Sequence, residues 1–195
     1  MSGILKSIVK KHDTLIGLDC STKSLAFSKW HKGDFVTCGE IIFEGSTVGT
    51  RLGSIHKALP PLIQSGLLKS DAVLIEAAVM VGQNPNTAIV LAYTYGAIMG
   101  AFNSEGIPVA KVRPLEWQSY IGNPNLKAFE KASIKKEFPG KSESWYKTYG
   151  RKVRKQKTLD WARQYAKIED DSDNVGDAVG IGYYAFKHQH LLTFE

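Results

Sequence analysis

At 195 residues the chain is long enough for one well-buried domain and short for two. Hydrophobic and charged fractions of 43% and 23% argue against disorder, and a net charge of +6 favours a polyanionic partner. Cys20 and Cys38 are the only cysteines and form no C-x-x-C spacing, which argues against a zinc site or disulfide scaffold and fits a reducing interior.

Residues 1–13 mix Lys6, Lys10, Lys11 and His12 with short apolar pieces and read as a tail, not a secretory signal. No apolar run reaches the roughly 18 residues of a membrane span, so a cytoplasmic place is expected. Leu15-Ile16-Gly17-Leu18-Asp19 is a buried strand ending in an acid. Ser24 to Trp30 and Phe35 to Phe43 follow across short turns, which predicts a three-stranded antiparallel meander. Leu52, Ile55, Leu59 and Leu62 lie at helical spacing within Thr47–Ser65, where Pro60-Pro61 is expected to kink or shorten the helix. Ala72-Val73-Leu74-Ile75-Glu76 is a second apolar run that ends in an acid.

A polar loop at Val81–Asn86 offers Gln83, Asn84 and Asn86, and a long helix is predicted from about Thr87 to Asn103. Its Gly96 and Gly100 are expected to let it lie close on a sheet. Val109 to Val112 reads as another strand. The stretch from Leu115 to about Arg151 is less regular, and its lysines alternate with Phe129, Phe138, Trp145, Tyr146 and Tyr149. Cations neutralise phosphates and aromatics stack on exposed bases. Arg151 to Lys157 is the densest basic run, and Thr158 is a candidate cap for a helix through Ala166. Lys152, Arg154, Lys155 and Lys157 lead the candidates for DNA contact, with Lys111, Arg113, Lys127 and Arg151 beside them. The last helix buries Val175, Val179, Gly182 and Phe186. The expected fold class is α/β: a mixed five-stranded sheet, three antiparallel strands then parallel ones, flanked by helices.

Strand acid, strand acid, helix acid is the order that carries chemistry. A lone Asp at a strand end is most often a turn residue, and acids before a helix are favoured by its dipole. Glu76 resists that reading, because a carboxylate closing a buried run needs a cation or a hydrogen-bond partner. Asp173 and Asp177, or Asn174 and Asp177, share a helix face. Carboxylates brought together suit a hard cation such as Mg²⁺ or Mn²⁺.

The ordered set resembles a RuvC-type Holliday junction resolvase of the RNase H-like nuclease superfamily, in a phage or viral branch. Gly17-Leu18-Asp19, Leu74-Ile75-Glu76 with the helix through Tyr95-Gly96-Ala97, Pro108-Val109 to Arg113-Pro114-Leu115-Glu116-Trp117, and Asp177-Ala178 match its segments in order over most of the chain. The family's acid or histidine three residues before the last Asp falls here on Asn174, beside Asp173. The resemblance implies a single domain over residues 1–195 with a basic insertion at about 123–151. It implies two-metal hydrolysis of a phosphodiester, leaving a 5′-phosphate and a 3′-hydroxyl. Asp19 would be the central ligand of two Mg²⁺ or Mn²⁺ ions, flanked by Glu76 and Asp177 and completed by Asp173 or Asn174. It further implies a homodimer that nicks four-way junctions in DNA recombination and repair, with the helix from Thr87 as candidate interface. The alternatives are a flap or RNase H-type nuclease and a catalytically weak nucleic-acid-binding module of the same fold.

Overall fold

The structure, a computed structural model, describes residues 11–78 and 84–194; Gln83 lies outside them. Strands β1 (Thr14–Cys20), β2 (Ser24–His31) and β3 (Asp34–Ile42) form the antiparallel meander, and β4 (Ala72–Glu76) and β5 (Val109–Val112) add in parallel, in the order β3-β2-β1-β4-β5. The helices are α1 (Val48–Gln64), α2 (Pro85–Ser104), α3 (Pro114–Tyr120), α4 (Ala128–Glu137), α5 (Glu143–Ala166) and α6 (Asp173–His188). This is the mixed sheet expected from the alternation of apolar runs. Among the described residues, no helix is long and apolar enough to cross a membrane.

Strand alternation divides the core. Ile16, Leu18, Leu25, Phe27, Val73 and Ile75 face α1 and α2, where Ile55, Leu59, Ile98 and Phe102 meet them. Leu15, Ala26, Trp30, Ala72 and Leu74 face the other way, toward Trp117 of α3, Leu159 of α5 and Val175, Val179 and Ile181 of α6. Helix α6 is mounted on that second face almost without a gap. A Cβ on Gly17 would come within 2.6 Å of the Ala178 carbonyl and the Gly182 Cα, and one on Gly182 would run into Ser28 and Trp30. Ser28 Oγ donates to the Ala178 carbonyl at 2.6 Å and accepts from Trp30 Nε1 at 3.0 Å, so the contact is hydrogen-bonded as well as close.

Four local expectations change. Helix α1 runs unbroken through Pro60 and Pro61 and starts at Thr47, whose hydroxyl accepts from the Thr50 amide at 3.2 Å. Gly96 and Gly100 do not touch the sheet. Both are exposed, and an added Cβ would meet nothing within 4 Å, because the 3.6-residue period turns Tyr95, Ile98 and Phe102 inward instead. Thr158 caps nothing. It is buried within α5, receiving Asn123 Nδ2 at 2.8 Å, and the helix begins at Ser142, whose hydroxyl accepts from the Trp145 amide. The basic run contains no breaker, so one helix continues through it. The irregular stretch after Leu115 is a helix, then an α4–α5 hairpin. Phe138, Trp145 and Tyr149 pack on one another there (Trp145 and Tyr149 stacked at 4.9 Å), and Tyr146 donates to the Phe138 carbonyl at 2.5 Å. Those aromatics close the hairpin, whereas Phe129 stays exposed.

Candidate acidic active site

Asp19 and Glu76 leave the carboxyl ends of adjacent parallel strands, on the face that α6 covers. The register pairs Leu18 with Ile75, which makes the two acids next neighbours. Leu15, Gly17 and Asp19 alternate onto the α6 side, as do Ala72, Leu74 and Glu76. Asp177 descends from the first turn and a half of α6, one residue before the Ala178 carbonyl that contacts β1 and β2. Glycine contact between β1 and α6 therefore brings the helix acid onto the strand acids.

Burial dominates their electrostatics. It lifts Asp19 to about 6, with Asp173 and Glu40 pushing the same way and Lys155 and the Cys20 amide opposing. It lifts Glu76 to about 7, reinforced by Asp19 and opposed by a hydrogen bond from Trp117, then by Lys155 and Arg154. Asp177 is raised well above the usual carboxylate range by burial and then by Asp19. Each acid is thus raised by burial and by at least one neighbouring acid. Trp117 is wholly buried and donates Nε1 to Glu76 Oε2 at 2.6 Å, which fixes that carboxylate.

Lys155 supplies the counter-charge. Its ammonium pairs with Asp173 Oδ2 at 2.9 Å and donates to Asn174 Oδ1 at 3.3 Å. Burial pulls its pKa down, but the Asp173 hydrogen bond and the charges of Asp177, Asp173 and Asp19 carry it above the ordinary value. Arg154 donates to Gln118 Oε1 and lies within reach of Asp177 and Glu76, which oppose the lowering that its burial causes. Two of the cations expected to grip DNA are therefore turned into the acidic site. Others hold neighbours: Lys157 pairs with Glu130 at 2.8 Å and Arg113 with Glu116 at 2.6 Å. Lys111, Lys127, Arg151 and Lys152 are exposed. Arg151 and Arg154 also line a cleft of about 530 Å³ in the α4–α5 hairpin, with Lys131, Lys135 and Lys147.

Glu40 is the residue that sequence reading missed. The sheet register aligns Asp19 with Ala26 and Ala26 with Glu40, which puts both acids in one row on one face. Glu40 Oε1 accepts from Asn174 Nδ2 at 2.9 Å and Oε2 from Ser172 Oγ at 3.0 Å. These bonds and one from Ser24 outweigh burial and hold its carboxyl below the usual value. Only strand pairing could have revealed it.

Among the described residues, no group of three or more His, Cys, Asp or Glu side chains is placed so that it could hold a metal ion. The donor set nevertheless fits a hard divalent cation in its chemistry. It consists of carboxylate and amide oxygens whose charge is only partly balanced by Lys155.

No family model matches the chain. Over nearly its whole length it superposes on Thermus thermophilus RuvC in complex with a Holliday junction substrate, with a TM-score of 0.65 at 14% identity, covering 94% of this chain and 100% of that one. The fold is that of RuvC. A second structure of Thermus thermophilus RuvC gives a TM-score of 0.63 at 14% identity, over 93% and 99% of the two chains. In sequence, 87 residues are 36% identical to the crossover junction endodeoxyribonuclease RuvC of Chlorobium phaeovibrioides. The matched stretch spans 44% of this chain and 44% of that relative, less than half of its length. A RuvC fold with acids at β1, β4 and α6 is thus the frame for the chemistry.

Proposed function

We propose that the chain is a metal-dependent, structure-selective endodeoxyribonuclease that cleaves branched DNA at four-way junctions, as a single domain with a basic insertion at about 123–151. The observation that supports it most is the placement of half-buried Asp19 and Glu76 at the ends of adjacent strands beneath buried Asp177 of α6, within a RuvC fold. Asp19, Glu76 and Asp177 would hold two Mg²⁺ or Mn²⁺ ions, with Asp173 and the Asn174 carbonyl oxygen at the margin. When bound, such ions polarise the scissile phosphate and lower the pKa of the attacking water. Trp117 holds Glu76 in place, and Lys155, kept protonated by its acidic neighbours, presents a positive charge to the phosphate. The water oxygen bonds to phosphorus and the bond from phosphorus to the 3′ oxygen breaks. That oxygen takes a proton, leaving a 3′-hydroxyl and a 5′-phosphate. Such a substrate implies an intracellular place, in a bacterial or phage-infected cell.

The test is cleavage of a labelled four-way junction beside duplex, flap and RNA–DNA hybrid, with Mg²⁺, Mn²⁺ or EDTA. Paired symmetric nicks in the junction, lost with EDTA, are expected. Cutting confined to flaps or hybrids would replace the substrate, and tight binding without cutting would leave a binding module.

The outward-facing cations divide from Lys155, which faces the acids, in their expected effects. Replacing Lys127, Arg151 and Lys152 with alanine weakens binding to every DNA and makes the salt dependence shallower by about 1 unit per lost phosphate contact. Lys155→Ala instead slows cleavage more than it weakens binding. Equal effects of the two sets on the salt slope would refute the division.

We also propose a homodimer through the outer face of α2, where Ile89, Tyr93, Gly96 and Gly100 are exposed at helical spacing. Leucine at both Gly96 and Gly100 has room within one chain but crowds a close-packed partner helix. Sedimentation should change from dimer to monomer with the fold intact; an unchanged dimer places the interface elsewhere.

A further inference from the structure

Asn174 can be oriented without ambiguity, because its two neighbours have opposite and exclusive hydrogen-bonding roles. The Glu40 carboxylate accepts at 2.9 Å, so the amide nitrogen must face it. The Lys155 ammonium only donates, so the amide oxygen must face it. Lys155 also pairs with Asp173 at 2.9 Å, so the Asn174 oxygen lies on the side where Lys155 meets that acid. Glu40 is held in turn by Ser172, the N-cap of α6, and by Ser24 at the start of β2.

We propose that Glu40 is a positioning residue of the acidic site. Through its hydrogen bond to Nδ2 it turns the carbonyl oxygen of Asn174 toward the Asp19–Asp173–Asp177 side, where that oxygen serves as a neutral ligand. This rests on the reading of the acids as a divalent-cation site. Glu40 acts on the site through its hydrogen bond to Asn174. With Glu40 absent, the amide is free to flip and present its NH₂ to the site, which repels a cation. The pair also accounts for an amide at position 174. A carboxylate there would face Glu40 across the 2.9 Å that a hydrogen bond now spans, and like charges at that distance repel.

Mn²⁺ titration of the full chain by calorimetry, without DNA, tests the role apart from catalysis. Glu40→Ala should weaken Mn²⁺ binding about tenfold or more, while Glu40→Gln, which keeps an acceptor for Nδ2, should stay within about threefold of the wild type. A second arm uses melting in EDTA. Asn174→Asp should lower the melting temperature by about 3 °C, and adding Glu40→Gln should restore it. Wild-type affinity in Glu40→Ala, or an unchanged melt in Asn174→Asp, overturns the positioning role. Wild-type protein that binds no Mn²⁺ overturns the cation-site reading on which it rests, and the EDTA melts then show separately whether the pair itself is coupled.

Discussion

Asp19→Asn is expected to abolish the proposed junction cleavage and at the same time to make the cation-free protein more stable. The two effects share one cause. Asp19 is raised to about 6 because burial and two acidic neighbours penalise its charge more than Lys155 and the Cys20 amide relieve it. Between the unfolded value near 4 and the folded value, the native state holds more protons than the unfolded chain. Stability therefore falls as pH rises across that window, and it levels off above it. Glu76, raised to about 7, extends the decline toward neutrality. An amide at position 19 removes the buried charge, so the expected gain at pH 7 is about 1–2 kcal/mol, or roughly 3–6 °C in melting temperature. It should vanish near pH 4, where the wild-type carboxyl is also neutral. Melts of both proteins in EDTA from pH 4 to 8, beside junction cleavage in Mg²⁺, check both halves. Normal cleavage by Asp19→Asn refutes the site. A melt that is unchanged or lowered at pH 7 refutes the account of its strain.

Gly17→Ala is expected to cost on the order of 3 kcal/mol or more, the largest loss from a single methyl group that this fold predicts. The added Cβ meets backbone of α6, which cannot rotate away as a side chain would. Relief requires lifting α6 from β1. That would break the bond from Ser28 Oγ to the Ala178 carbonyl and draw Asp177 away from Asp19. Gly182→Ala should act similarly from the other side, against Ser28 and Trp30. The control is Gly53→Ala, at an exposed position in α1 where a Cβ meets nothing within 4 Å. There the methyl group should stabilise by about 0.4–1 kcal/mol, because alanine loses less chain entropy than glycine. Denaturant unfolding of the three variants distinguishes them by sign. A loss at Gly17 no greater than about 1 kcal/mol would mean that the helix can shift at little cost.

The sheet was legible in the sequence because each strand is an apolar run bounded by turn residues, and burial of such runs depends little on the rest of the chain. Asp19 and Glu76 were legible for the same reason, since an acid that ends a buried run stands out locally. Asp177 was found through helical spacing and the ordered resemblance to RuvC. The segment from Leu115 to Ala166 was harder to read, because its helices are short of apolar periodicity and are set by capping and by hairpin packing. Gly96 and Gly100 misled, since spacing identifies a stripe and not the side of the helix it faces.

Chain order and local polarity thus determined the five strands, the strand acids and the basic character of the region that follows. Tertiary structure alone decided which cations face the acids and which hold other neighbours, because Lys155 and Lys157 differ by two residues yet point to Asp173 and to Glu130. It alone brought in Glu40, which lies 134 residues from Asn174 in sequence and meets it only when β3, β2 and β1 are in register beneath the start of α6. Strand pattern is a short-range property of the chain, whereas a charged group acquires its partner only through packing between distant segments.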